Sequence, residues 1–133
     1  MASERDERML AAIRRVLDAG ERIEARGWCW AAVERRRVPL LFLRRRRFDA
    51  FVTDRRLVLI ARSRGPLDPS DVKLVKHFDA LVLDAQHQRP TLLQQRLRTD
   101  AGLALVVEWP HRSREVGHIV SDEVPRARVR PAA

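Results

Sequence analysis

The chain has 133 residues, of which 45% are hydrophobic and 34% charged, and its 27 basic and 18 acidic side chains give a net charge of +9. This length and composition fit one folded domain with a modest core, and they exclude wholesale disorder. The aromatic share is only 5%, with no tyrosine, which argues against a surface built from many stacking rings.

Cysteine content and the leader region indicate the compartment. The single Cys29 cannot form an internal disulfide, and no spacing of cysteine and histidine predicts a zinc site, so we expect a reducing cytoplasm. The first residues alternate in charge, whereas a secretory signal needs an apolar run of about 7–15 residues. No stretch approaches the roughly 18 apolar residues of a membrane span. We therefore expect a cytoplasmic protein, with peripheral contact at the inner membrane face allowed by the charge.

The first half of the chain is predicted to be a helix followed by a β-meander. Apolar residues recur at helical spacing over 4–18, with Ser3 as a suitable N-cap and Gly20 as a suitable stop. From residue 23 the period changes to two, which places Trp28 and Trp30 on one side of a strand. Further strands are predicted at 39–43, 48–53 and 57–61, with a hairpin turn at 53–56. Residues 23–62 are thus expected to form about four antiparallel strands.

The second half is predicted to add strands, a helix and a tail. Residues 65–70 form a loop by composition, 72–83 are expected to be extended, and strands at 91–98 and 103–109 flank a turn at 100–102. Apolar residues at helical spacing predict a short helix ending near Val124, with Ser113 as its N-cap. The expected organisation is an N-terminal amphipathic helix at 1–20, a β domain at 21–124 and a flexible basic tail at 125–133.

The excess positive charge lies in one segment. Residues 35–64 hold eleven arginines and only Asp49 and Asp54 as acids, and the rest of the chain is neutral. Because 25 of the 27 basic residues are arginine, codon bias explains the choice of arginine over lysine. It does not explain why acids are scarce in one segment alone. Two interpretations stay open: a solvated basic face, and a patch for an anionic partner.

The predicted meander gathers these arginines into two patches, because alternate turns lie at the same end of a sheet. The anion-binding patch takes the first and third turns, and consists of Arg35, Arg36, Arg37, Arg55 and Arg56. The second basic patch lies at the opposite end, and consists of Arg44, Arg45, Arg46, Arg47, Arg62 and Arg64. Guanidinium forks suit phosphate, and about 1 kcal/mol per residue at an anionic bilayer predicts weak, salt-sensitive binding. The second patch would be split if residues 44–47 continued a strand.

Two short segments carry a resemblance to a known family. The segment FVTDRRLVLI, residues 51–60, resembles the strand-turn-strand signature of bacterial pleckstrin-homology-like and GRAM-like domains, in which a Thr-Asp/Asn-x-Arg turn joins two apolar strands. The segment LDAGERI, residues 17–23, is similar to the Gly-Glu start of the first strand in those domains. The pattern covers residues 17–124, and the motifs cover about fifteen residues.

The resemblance implies a mainly β fold of α+β type, a pleckstrin-homology-like antiparallel β-sandwich or barrel with an N-terminal helix and a C-terminal capping helix at 112–124. It also implies an anionic headgroup among the first turns, on Arg35, Arg36, Arg37 and Arg56. Two departures are noted: the capping helix is short and broken by Gly117, and residues 72–98 align poorly. The family implies a noncatalytic binding or scaffold module more strongly than it implies a lipid ligand.

The residues that could carry catalysis form no recognised constellation. No histidine pair has the spacing of a zinc hydrolase, and the four histidines are His77, His87, His111 and His118. We expect Cys29 to be an inert buried thiol and the tryptophans to be mainly core. Asp54 is expected to form the turn and Asp49 to pair with arginines, rather than to act with Asp79 as an acid–base set. The sequence predicts no enzyme, cofactor or metal.

The expected function is therefore a noncatalytic module whose arginine-rich rim binds an anionic partner, either a membrane headgroup or an acidic protein surface. Nonspecific nucleic-acid binding through the same arginines is the first alternative, although neither predicted helix is basic enough to be a recognition helix. A protein–protein assembly subunit is the second alternative. The sequence leaves the oligomeric state and the pathway open.

Overall fold

The computed structural model describes residues 4–33, 46–61 and 72–127. They form two helices, seven strands and two short 3₁₀ turns. The helices are α1 (Glu4–Val16) and α2 (Arg114–Glu123), and the 3₁₀ turns are Phe78–Ala80 and His111–Ser113. The strands are β1 (Ile23–Val33), β2 (Arg46–Thr53), β3 (Arg56–Ala61), β4 (Val72–His77), β5 (Leu81–Gln88), β6 (Leu92–Thr99) and β7 (Ala104–Pro110).

The strands form one curled antiparallel sheet in the order β4-β3-β2-β1-β7-β6-β5. The predicted mainly β class with two short helices is therefore confirmed. Two consecutive meanders, β1 to β4 and β5 to β7, join where β1 pairs with β7 between Trp30 and Val33. An ion pair of 2.8 Å between Lys76 Nζ and Asp100 Oδ1 links β4 to the turn between β6 and β7.

The first meander differs from the predicted one in its pairing. Strand β1 pairs directly with β2, from Ile23 opposite Thr53 to Ala31 opposite Arg46. The sequence placed a strand at 39–43 between them; that segment lies outside the described residues. With β1 and β2 as direct neighbours, Val33 and the turn after Thr53 lie at opposite ends of the ladder. Residues 35–37 lie outside the described residues, so the expected meeting of their turn with the turn at 54–56 stays a prediction.

Helix α1 covers the outer face of the first meander. The fully buried Ile13 packs on Phe51, Val58 and Ile60, while the alternate residues of β3 face the other side of the sheet. Strand β3 is thus buried on both faces, which is why its sequence is continuously apolar. Gly20, with a φ of 79°, reverses the chain after the helix, as the sequence predicted.

Helix α2 packs on the inner face against the main core. Its residue Gly117 lies against the Trp109 ring, where an added Cβ would come within 2.6 Å of a ring carbon. The predicted break at Gly117 is wrong, since α2 runs continuously from Arg114 to Glu123. The glycine gives the helix a close approach to the sheet. Gln95 fixes that approach by accepting a hydrogen bond from Trp109 Nε1 and donating one to the Gly117 carbonyl.

Residues 125–127, which follow α2, are hydrogen-bonded to β5. The Leu83 amide donates to the Pro125 carbonyl at 2.8 Å, and the Ala127 amide donates to the Leu83 carbonyl at 3.0 Å. Arg126 thereby forms a parallel bridge with Leu83 on the edge of β5. The sequence predicted a flexible tail at 125–133; residues 125–127 are hydrogen-bonded to β5, and residues 128–133 lie outside the described range.

Neither helix in the described part of the chain is long and apolar enough to cross a membrane.

Candidate functional site

Three of the residues that carry the family resemblance, Glu21, Thr53 and Arg56, form a buried cluster at the β2–β3 turn. Thr53 Oγ1 donates to Glu21 Oε2 at 2.5 Å and accepts the Arg56 amide at 2.8 Å. Arg56 Nε donates to Glu21 Oε2 at 2.9 Å, and Arg56 Nη2 donates to Glu21 Oε1. The same guanidinium donates to the carbonyl of Val16, the last residue of α1. The turn motif thus fastens the helix end and the start of β1 to β2.

The electrostatics of this cluster are internally balanced. The Arg56 guanidinium is the largest influence on the pKa of Glu21; burial opposes it, and the Thr53 hydroxyl and the Asp18 amide reinforce it. The net result lowers the pKa of Glu21 to about 2. Glu21 and Arg56 are both buried, at 8% residual exposure each. The positive charge of Arg56 is therefore neutralised inside the fold, where it supports the turn instead of facing a ligand.

The anion-binding patch predicted from the sequence is not assembled by the described residues. Arg55 is exposed at the turn and Arg56 is buried beneath α1. The other three members, Arg35, Arg36 and Arg37, lie outside the described residues. Of the two described arginines of the predicted patch, Arg55 is therefore the exposed one.

The second predicted patch is partly described, and its arginines lie on a strand. Arg46 and Arg47 begin β2 and are exposed, opposite Ala31 and Trp30 of β1. They do not form the predicted turn, and being consecutive strand residues they point to opposite faces of the sheet. Arg44, Arg45, Arg62 and Arg64 lie outside the described residues.

Two tryptophans lie on the outer face of β1 beside these arginines. The rings of Trp28 and Trp30 meet edge to face, with centroids 4.7 Å apart and an interplanar angle of 81°. The Arg47 guanidinium carbon lies 3.9 Å from the centroid of the Trp28 ring, a cation–π contact. Both tryptophans are partly exposed, whereas Trp109 is fully buried. The prediction of core tryptophans is confirmed for Trp109 and wrong for the pair.

Exposed aliphatic residues lie at the same end of β1. Among the described residues, Val33 and Leu103 are the large apolar side chains that are exposed, each at 44%. Val33 pairs with Leu105 of β7, two residues after Leu103. We call this region the β1 exit surface. It has Trp28, Trp30 and Arg47 on the outer face of the sheet, Val33 and Arg46 on the inner face, and Leu103 just before β7.

Sequence reasoning missed this surface because each of its members had a simpler explanation. Strand periodicity did place Trp28 and Trp30 opposite the buried Cys29, which was the available signal. The exposure of Val33 and Leu103 has no sequence signal, since it depends on where the β1–β7 ladder ends.

Other reactive side chains do not extend the site. Burial, reinforced by the charge of Asp49, raises the pKa of the Cys29 thiol well above its ordinary value, so this thiol is inert in the folded protein. Among the described residues no group of three or more histidine, cysteine or carboxylate side chains could hold a metal ion.

Comparison of the chain with models of known protein families and with curated proteins gives no match.

Proposed function

We propose that the protein is a noncatalytic module of the pleckstrin-homology-like class that attaches to an anionic membrane surface through the arginines at the β1 exit surface. The observation that carries the proposal is the pair of exposed arginines, Arg46 and Arg47, beside exposed apolar side chains at one end of the sheet. The class assignment is supported by the buried cluster of Glu21, Thr53 and Arg56, in which the residues of the resemblance contact one another.

The charge of the adjoining sequence supports the same surface. Residues 34–45, which connect Val33 to Arg46, contain five arginines and one glutamate by sequence, and Arg46 and Arg47 add two more positive charges. At about 1 kcal/mol per basic residue near an anionic bilayer, a net charge of +6 is worth about 6 kcal/mol at most. Such binding is weak and falls as salt screens the surface charge.

The apolar neighbours of these arginines favour a bilayer over a nucleic acid. Cations bind the phosphate backbone of a nucleic acid, and aromatic rings stack on its bases, but one face of Trp28 is already occupied by Arg47. Exposed aliphatic residues such as Val33 and Leu103 gain nothing from a phosphate backbone. They do gain from contact with the boundary between headgroups and acyl chains.

The experiment is vesicle co-sedimentation with phosphatidylcholine alone and with phosphatidylcholine containing phosphatidylserine. Wild type is expected to bind the anionic vesicles and not the neutral ones. The double substitution Arg46→Gln and Arg47→Gln should reduce the affinity roughly 10- to 30-fold at low salt, because two charges are lost.

The matched control removes two exposed charges elsewhere, by Arg14→Gln and Arg15→Gln in the last turn of α1. This variant should bind within about twofold of wild type after correction for long-range charge. Equal losses in both double variants, or no binding by wild type, would contradict the proposal. Tighter binding to duplex DNA than to anionic vesicles, with a log–log salt slope of about −0.9 per phosphate, would support a nucleic-acid function instead.

A further inference from the structure

Residues 125–127, which we call the C-terminal strap, contact the edge of the sheet at one position. Strand β5 forms that edge, and among the described residues the strap pairs with it in an isolated bridge at Leu83. The Leu83 amide donates to the Pro125 carbonyl at 2.8 Å, and the Ala127 amide donates to the Leu83 carbonyl at 3.0 Å. The β5–β6 register shifts between Leu83 and Ala85, directly after this position. Two backbone hydrogen bonds therefore carry the described pairing.

The side chains of the strap add little to this attachment. Pro125 and Arg126 are exposed, and Ala127 is half-buried. The Arg126 guanidinium lies 3.5 Å from the Ser121 hydroxyl, which is long for a hydrogen bond. In contrast, Val124 just before the strap is buried, and its amide bonds within the last turn of α2. Release of the strap can therefore begin at Pro125 and leave α2 intact.

The strap lies in the same row of the sheet as the last residue of β1. This row consists of Arg126, Leu83, Leu97, Leu105 and Val33, each paired with the next. At a strand spacing of about 4.8 Å, its two ends are at most about 19 Å apart. The strap is thus near enough to the β1 exit surface for both to meet one bilayer.

The direction of the docked strap leads its charge away from that surface. The bridge is parallel, so the strap runs with β5, away from the end of the sheet that holds Thr99 and Leu103. Arg126 is followed in the sequence by Arg128 and Arg130, with no acidic residue among them. Release removes the fixed direction of the strap and allows these three charges to reach a surface at the Leu103 end.

The magnitudes of the two attachments favour release on an anionic surface. Two backbone hydrogen bonds, at a net factor of roughly five each, favour the docked strap about 30-fold. Three arginines near an anionic bilayer favour the released strap by up to roughly 150-fold. The surface therefore exceeds the β5 edge by about fivefold, whereas in water alone the strap stays docked.

We infer that the C-terminal strap is a switch, which covers the edge of β5 in solution and leaves it when the protein meets an anionic bilayer. This switch rests on the proposed function, because the bilayer that releases the strap is the one that the β1 exit surface binds. Release uncovers the backbone amide and carbonyl of Leu83. One edge of the sheet is then exposed only on the membrane.

Hydrogen–deuterium exchange of three backbone amides tests the switch in the full chain. The amides of Leu83 and Ala127 bond between the strap and β5, whereas the amide of Val124 bonds within the end of α2. With saturating phosphatidylserine-containing vesicles at low salt, the protection of Leu83 and Ala127 should fall at least about tenfold. The protection of Val124 should not change. Vesicles of phosphatidylcholine alone should change none of the three.

Charge variants show whether the arginines cause the release. The triple substitution Arg126→Gln, Arg128→Gln and Arg130→Gln removes the attraction to the bilayer and keeps both backbone hydrogen bonds. Its Leu83 amide should therefore stay protected on anionic vesicles. The control with Arg14→Gln and Arg15→Gln in α1 should lose that protection as wild type does.

Failure of the switch and failure of the proposed function give different patterns. Wild type that binds anionic vesicles with unchanged protection of Leu83 and Ala127 would overturn the switch and leave the proposed function standing. The same holds if Val124 loses protection equally, since α2 itself then opens, or if the triple variant releases the strap like wild type. Wild type that binds no vesicles at any salt concentration would overturn both.

Discussion

Glu21 and Arg56 hold three segments of the chain together through one buried ion pair. The carboxylate takes two hydrogen bonds from the guanidinium and one from Thr53, and the guanidinium also caps the carbonyl end of α1 at Val16. Removing one partner of a buried pair leaves an uncompensated charge, which is strongly destabilising. In this chain the motif that resembles a ligand-binding family therefore stabilises the fold, by joining the end of α1 and the start of β1 to the β2–β3 turn.

The pH dependence of stability tests this ion pair. Because the pKa of Glu21 is lower in the folded protein than in the unfolded chain, its stabilisation is complete above about pH 4.5 and is lost as the pH falls toward about 2. The shift corresponds to about 3 kcal/mol. Urea unfolding followed between pH 7 and pH 2 should show this decline in wild type.

In Glu21→Gln the free energy of unfolding should be lower at pH 7 by a similar amount, and this part of the pH dependence should disappear. Glu24→Gln is the matched control, since Glu24 is exposed at the start of β1, three residues after Glu21. A Glu21→Gln variant as stable as the control would refute the role of the pair.

The packing of helix α2 on the sheet requires Gly117, although glycine has a low helix propensity. Gly117 lies where a Cβ would meet the Trp109 ring and also a methyl carbon of Leu93, at 2.9 Å. Trp109 cannot easily withdraw, because Gln95 holds its indole nitrogen. The short distance between helix and sheet therefore comes from the missing side chain.

Gly117→Ala tests this packing. Alanine improves helix propensity by about 1 kcal/mol, but overpacking a rigid core costs about 1–3 kcal/mol. We expect a net loss of about 1 kcal/mol in the free energy of unfolding, measured in urea. The exposed neighbour His118→Ala should be neutral or slightly stabilising. A Gly117→Ala variant more stable than wild type would show that the ring moves aside.

The local sequence pattern predicted most helices and strands. The errors concern features that depend on long-range contacts. The helix near 4–18, the turn at 100–102 and the strands around 48–53 and 57–61 follow from apolar period and turn residues, and the structure confirms them. From sequence alone Gly117 predicts a helix break, because its contact with the Trp109 ring is a tertiary feature. The direct β1–β2 pairing is a long-range contact that the apolar period does not specify. Arg35–Arg37 lie outside the described residues, so their predicted convergence with Arg56 stays a prediction.

At the candidate site, too, the sequence predicted local features and missed those that depend on long-range contacts. Arg46 and Arg47 were predicted as basic surface from charge alone, and both are exposed. Burial of Arg56 was unforeseen because its partner Glu21 is 35 residues away in sequence. The exposure of Val33 follows from the end of the β1–β7 ladder, which local sequence does not specify.

At the scale of the whole molecule, the β1–β2 ladder has two unlike ends. One end is the β1 exit surface, with exposed arginine and aliphatic side chains and half-buried tryptophans. The other is the turn with Arg55, where the charge of the neighbouring Arg56 is neutralised by its ion pair with Glu21. The ten residue steps of β1 separate the two ends by about 30 Å along the strand. Under the proposed function, the first end faces the membrane and the second faces water.

An environment-sensitive fluorophore at each end measures that orientation directly. Because Cys29 is buried and its pKa is raised, a cysteine introduced by Leu103→Cys or by Arg55→Cys can be labelled selectively in the folded protein. With phosphatidylserine-containing vesicles, we predict increased, blue-shifted emission from the label at position 103 and unchanged emission from the label at position 55. The reverse pattern, or equal responses from both positions, would contradict it.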